Sequence, residues 1–174
     1  MKSNPAREPK KIFLVEDRPA FHQGIIRVLN GESDLRVCGS ARSVGEALSS
    51  IARIKPELVL VEISLPGKKG LRLIKEIRSA YRRVKLVVIS THQEADFAAK
   101  VLRGGGDGYV LTQEGPDEIV HAVRDILGGH LYVSEGLFKD MGGGSGTGQK
   151  LRRNRSQIAS QGKIAHSRLR RPPR

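Results

Sequence analysis

Leu58-Val59-Leu60-Val61-Glu62 is a row of four apolar residues closed by an acid. A run so short and uninterrupted fits a strand buried on both faces, as in a parallel sheet. The same shape recurs upstream in Ile12-Phe13-Leu14-Val15, ended by Glu16-Asp17. It recurs downstream in Leu86-Val87-Val88-Ile89, ended by Ser90, and in Tyr109-Val110-Leu111, ended by Thr112. Leu35-Arg36-Val37-Cys38 supplies a shorter strand candidate. Helical periods fill the gaps. Phe21, Ile25, Val28 and Leu29 precede the stop signal Asn30-Gly31. Ser43 is an N-cap with Glu46 completing a capping box, and Val44, Leu48 and Ile51 form the stripe behind it. After a turn at Pro66-Gly67, Leu71, Ile74 and Ile77 mark a helix starting near Gly70. Phe97, Val101 and Leu102 mark the next, which stops at Gly104-Gly105-Gly106. The last runs from Pro116 to Gly128-Gly129 with Ile119, Val123, Ile126 and Leu127 inward.

Five strand–helix units predict an α/β fold: a doubly wound, five-stranded parallel sheet covered on both faces. Ligands of such sheets sit outside the carboxyl ends of the strands. Those ends carry Glu16-Asp17, Glu62, Ser90 and Thr112. Other chemistries find little support. Gly104 to Gly106 lack the Lys-Ser/Thr of a phosphate loop. His92, His121 and His130 have no metal-ligand spacing. Cys38, the one cysteine, excludes an intramolecular disulfide framework and reads as a buried strand residue without a redox task. An enzyme is not expected.

Across residues 10 to about 135, these stretches resemble the receiver domains of two-component response regulators. Pro56 to Gly67 and Gly108-Tyr109-Val110-Leu111-Thr112 look most like the subfamily with a LuxR-type helix-turn-helix output domain. The resemblance implies a flavodoxin-like (βα)5 sheet in the order 2-1-3-4-5 and a histidine kinase or other signalling protein as partner. It also implies roles. Glu16 and Asp17 match the acid pair that helps bind Mg2+, Ser90 matches the switch hydroxyl, and Glu62 stands at the phosphoacceptor position. Glu16, Asp17 and Glu62 are therefore the expected Mg2+ ligands. Two positions depart from the family. The acceptor is Asp there and Glu62 here, and Thr112 replaces the family's lysine. One extra methylene moves a carboxylate by roughly 1.5 Å, and a misplacement of ~1 Å costs ~10²-fold in rate. Thr112 cannot supply the lost positive charge. The expectation is an atypical receiver that signals through protein contacts, with weak or no aspartyl phosphorylation, and with its first and last helices as candidate partner or homodimer surfaces.

The 174 residues carry a net charge of +13, which lies mostly at the ends. Residues 1–11, with net +3, read as a disordered basic arm. Residues 12–135 read as the receiver-like domain, and 136–174 as a Gly-rich linker and disordered basic tail. The tail, 141–174, has nine Lys/Arg and no acid. Lys150, Arg152, Arg153 and Arg155 make non-specific contact with nucleic-acid phosphates the alternative reading, that of a transcription-associated regulator with the receiver as its dimerisation platform. The tail lacks the apolar pattern of a helix-turn-helix. Four Phe, three Tyr and no Trp argue against a base-stacking reader. No apolar run is long enough to span a membrane and the first residues carry no secretory pattern, so a cytoplasmic location is expected.

Overall fold

The computed structural model describes residues 8–64 and 70–141. The Pro66-Gly67 turn and the tail residues Lys150, Arg152, Arg153 and Arg155 lie outside the described residues. Five strands fall where the apolar runs place them: β1 (Lys10–Val15), β2 (Leu35–Ala41), β3 (Leu58–Glu62), β4 (Lys85–Ser90) and β5 (Gly108–Leu111). They alternate with α1 (Pro19–Asn30), α2 (Val44–Ile54), α3 (Gly70–Ala80), α4 (Ala95–Arg103) and α5 (Pro116–Leu127). β1 begins inside the stretch read as an arm, because Lys10 and Lys11 pair with Leu35 and Arg36 of β2.

The chain then adds two short elements, β6 (Tyr132–Val133) and α6 (Glu135–Asp140). All neighbouring strands are parallel, in the order β2-β1-β3-β4-β5-β6. The expected five-strand order is present with a sixth strand at one edge. α6 lies largely within the stretch read as linker, yet Leu137, Phe138 and Met141 are buried.

The two-residue period of a strand sorts the core into two layers. Ile12, Leu14, Leu58, Leu60, Val87, Ile89 and Val110 face α1 and α5. Phe13, Val15, Val59, Val61, Leu86, Val88, Tyr109 and Leu111 face α2, α3, α4 and α6. Both faces are therefore covered, as the continuous apolar runs require. Ser43 caps α2 by accepting the Glu46 N–H at 3.3 Å, while Glu46 Oε2 accepts the Arg42 N–H at 2.9 Å. Cys38 is half-buried rather than buried, with its thiol directed to the Ile12 carbonyl at 3.2 Å.

Polar side chains tie elements together at the amino-terminal edge of the sheet. Arg78 donates to the carbonyls of Gly105, Arg82 and Val84 and to Asp107 Oδ2 at 2.7 Å. Asp107 also accepts the Leu86 N–H at 2.9 Å. Arg124 of α5 reaches Glu32 and Asp34 in the α1–β2 turn. No helix among the described residues is long and apolar enough to cross a membrane.

Candidate functional site

β1 and β3 are adjacent, with Val15 opposite Val61, so the residues that follow them share one edge. Glu16 and Glu62 are both carboxylates, 0% and 1% exposed. Two buried acids so close need a counter-charge. Arg18 supplies it. Its Nε and Nη2 donate to Glu16 Oε1 and Oε2, each at 3.0 Å, and Nη2 also donates to Glu62 Oε2 at 2.7 Å. The planar guanidinium thus grips Glu16 through both oxygens and reaches across to Glu62.

Local backbone sets this grip. Arg18 is the N-cap residue of α1 in an extended conformation, ahead of Pro19. Its N–H donates to Glu16 Oε1 at 2.9 Å, folding the Glu16 side chain back over its own turn. The Phe21 ring lies 4.4 Å from the guanidinium carbon and completes the seat with a cation–π contact. Buried His22 places Nδ1 3.2 Å from the Glu16 carbonyl oxygen. The Glu16 hydrogen bond foremost holds the Arg18 guanidinium above its ordinary pKa, with further help from the charges of Glu62 and Asp17.

The other Glu62 oxygen, Oε1, accepts the Ser64 N–H at 2.9 Å. Burial pushes the Glu62 carboxyl above the usual carboxylate range, opposed by the Ser64 N–H and by Arg18. The chain after β3 passes close to the start of α3. A Cβ on Gly70 would stand 2.8 Å from the Ile63 carbonyl oxygen, so only glycine fits without a shift.

Ser90 ends β4, fully buried, and accepts the His92 N–H at 3.0 Å. The Tyr109 hydroxyl donates to the His92 carbonyl at 3.1 Å. Burial raises that phenol to about 12, with Ser90's hydrogen bond acting the other way. Beside them a groove of about 290 Å³ is lined by Ile63, Ser64, His92, Glu94, Phe97 and Tyr109. Thr112 opens a 3-10 turn, Thr112–Glu114, at the end of β5.

The fold therefore brings Glu16, Glu62, Ser90 and Thr112 to one edge, as the sequence predicts. Mg2+ is the ion that receivers of the family resembled by the sequence typically take at this edge, and here Arg18 already engages two of the three expected ligands. Among the described residues no group of three or more His, Cys, Asp or Glu side chains is placed to hold a metal ion, and Glu16, Asp17 and Glu62 are no exception. Asp17 is half-buried and adds its charge beside Arg18, while the oxygens of Glu16 and Glu62 are already engaged by Arg18 and Ser64. The residues present do not fit the ion. Arg18 is the functional residue that sequence reasoning missed. Its only linear signal is a basic residue directly after the acid pair and before a proline.

Comparison with known proteins identifies the family. Residues 12–124 match the response regulator receiver domain family. The chain belongs to that family, the receivers of two-component signalling, whose members are signalling partners of histidine kinases. It is 31% identical over 124 residues to the response regulator GacA of Pseudomonas syringae pv. syringae, covering 71% of this chain and 58% of that protein. It is 26% identical over 131 residues to the nitrate/nitrite response regulator NarL of Escherichia coli, covering 75% and 61%. The chain thus spans under two thirds of the length of these relatives. A LuxR-family response regulator from Aurantimonas superposes with a TM-score of 0.71 at 25% identity, covering 93% of this chain and 99% of that one. The receiver domain of the NarL-like regulator of Mycobacterium tuberculosis gives 0.66 at 29% identity, covering 70% and 98%.

Proposed function

We propose that this receiver works through protein contacts, with a histidine kinase or another signalling protein as partner, and does not cycle by ordinary aspartyl phosphorylation. One observation carries the reading: the Glu62 carboxylate is buried and held at both oxygens, by Ser64 N–H on one side and Arg18 on the other. A phosphoacceptor must present a free oxygen in line with the incoming phosphorus, with cations around the transferring group. Here Arg18, the cation that reaches Glu62 among the described residues, is committed to the carboxylates themselves, and Thr112 brings no charge where the family has lysine. A cytoplasmic location goes with this reading.

The test is incubation of the full chain with acetyl phosphate and Mg2+, followed by assay for acid-labile phosphate. The expected result is no stable phosphoprotein from the wild type. Accumulation of acid-labile phosphate on Glu62 would overturn the proposal. Glu62→Asp shortens the side chain by one methylene, ~1.5 Å, and frees it from Nη2 of Arg18. Phosphorylation of that variant alone would locate the block in the length of the acceptor.

A further inference from the structure

We infer that Arg18 is the resident counter-ion of this carboxylate edge, standing where the family places a divalent cation, so that the domain takes no divalent ion there and gains such a site only when the guanidinium is removed. The inference goes beyond the signalling reading and does not depend on which partner the domain meets.

Three observations converge on it. Glu16 and Glu62 are as buried as the apolar core, and a buried carboxylate persists in its charged form only beside a positive charge. Arg18 provides that charge in the geometry that best matches carboxylates, with paired donors on Glu16 and a bridging donor to Glu62. The guanidinium is also seated independently of the acids, by its position ahead of Pro19 and by the Phe21 ring. A divalent ion entering this edge would have to displace Nη2 from both carboxylates at once. It would place two positive charges against the guanidinium, which cannot deprotonate to make way. Attachment to the chain gives Arg18 a second advantage. Its local concentration is fixed, whereas an ion must be drawn from solution.

Remove the side chain and the balance inverts. The Glu16 and Glu62 carboxylates remain, buried and near one another, with no other cation paired to them among the described residues. Oxygen-only sets of this kind suit hard divalent ions, which keep several of their waters when few protein ligands are offered.

The experiment titrates Mn2+ into the full-length protein and follows the free-ion signal by electron paramagnetic resonance, with melting temperature measured in millimolar Mg2+ and in chelator. No phosphodonor is present, so the result is separate from the phosphorylation test. The wild type is expected to leave added Mn2+ free and to melt at the same temperature in Mg2+ and in chelator. Arg18→Ala is expected to bind Mn2+ at least about tenfold more tightly and to melt higher in Mg2+. Arg18→Ala combined with Glu62→Gln should lose that gain. If Arg18→Ala folds only when Mg2+ is supplied, the inference is supported. If it stays unfolded with Mg2+, Arg18→Gln replaces it and the same gain in Mn2+ affinity is required. Mn2+ binding by the wild type equal to that of the variants would overturn the inference, and so would variants that bind no better than the wild type.

Discussion

Removing Arg18 should cost far more stability than removing either partner's share of the contact would indicate. In Arg18→Ala three charge-assisted hydrogen bonds disappear, two to Glu16 and one to Glu62, while the backbone N–H bond to Glu16 Oε1 survives. Breaking a buried pair by deleting one partner costs about 3–5 kcal/mol, because the other charge is left buried. The Arg18 side chain is 43% exposed, so water already shares in its solvation and the estimate must be discounted. About 3 kcal/mol remains for Arg18→Ala. Glu62→Ala also breaks the bridge, but it removes a carboxylate that burial disfavours and that Glu16 repels. The two effects offset, leaving a loss of about 1 kcal/mol. The double variant should recover part of the Arg18 loss, with a coupling of about 1–2 kcal/mol. Urea unfolding followed by far-UV circular dichroism measures all four members of the cycle, provided the slope against urea stays constant. Equal losses in Arg18→Ala and Glu62→Ala, or a coupling of zero, would refute the claim that the guanidinium neutralises both acids.

Three more outcomes are expected. Because the folded Glu62 carboxyl holds its proton to higher pH than the unfolded one, its contribution to stability falls as pH rises through and above ~4.3, the ordinary glutamate value. The stability of Glu62→Gln relative to wild type should therefore improve as pH rises above the ordinary glutamate value and then level off, and a gap that stays constant from acid pH upward would contradict the burial of this charge. Phe138→Ala should destabilise the domain by about 3 kcal/mol, since Phe138 is 4% exposed within the core layer beneath α6; a loss under ~0.5 kcal/mol would show α6 to be an appendage. Gly70→Ala should cost about 1–3 kcal/mol in the same assay, because its Cβ meets backbone rather than a movable side chain; an unchanged midpoint would mean that the β3–α3 approach relaxes freely.

β1, β3, β4 and β5 were legible because burial along most of their length leaves a short apolar run, whereas β2, mostly half-buried, gave a weaker signal. The Ser43–Glu46 box and the polar residues closing β1, β3, β4 and β5 were legible for a local reason: each lies within a few residues of its element's end. β6 and α6 were not. Leu131-Tyr132-Val133 and Leu137-Phe138 are short apolar patches beside glycine, and only their placement over β5 and α4 makes them core. The grip of Arg18 on the acids was not legible for a related reason. Three acids look equivalent along the chain, yet Glu16 turns back onto the Arg18 N–H, and the bridge to Glu62 links residues 44 apart in sequence. Composition was misleading in a further way. The net charge of +13 belongs to the ends, while the described site is a contest between a few acids and one arginine.

The Arg78 contacts give the sheet two unlike rims. At one rim a single side chain fastens the α3–β4 turn, the end of α4 and the approach to β5 into one piece. The opposite rim carries Glu16, Glu62, Ser90 and Thr112. Substitutions there are made against an anchored frame, so the working rim can exchange acceptor, lysine and counter-charge while the registers of β4 and β5 hold. That division lets the residues of one rim vary while the sheet keeps its shape.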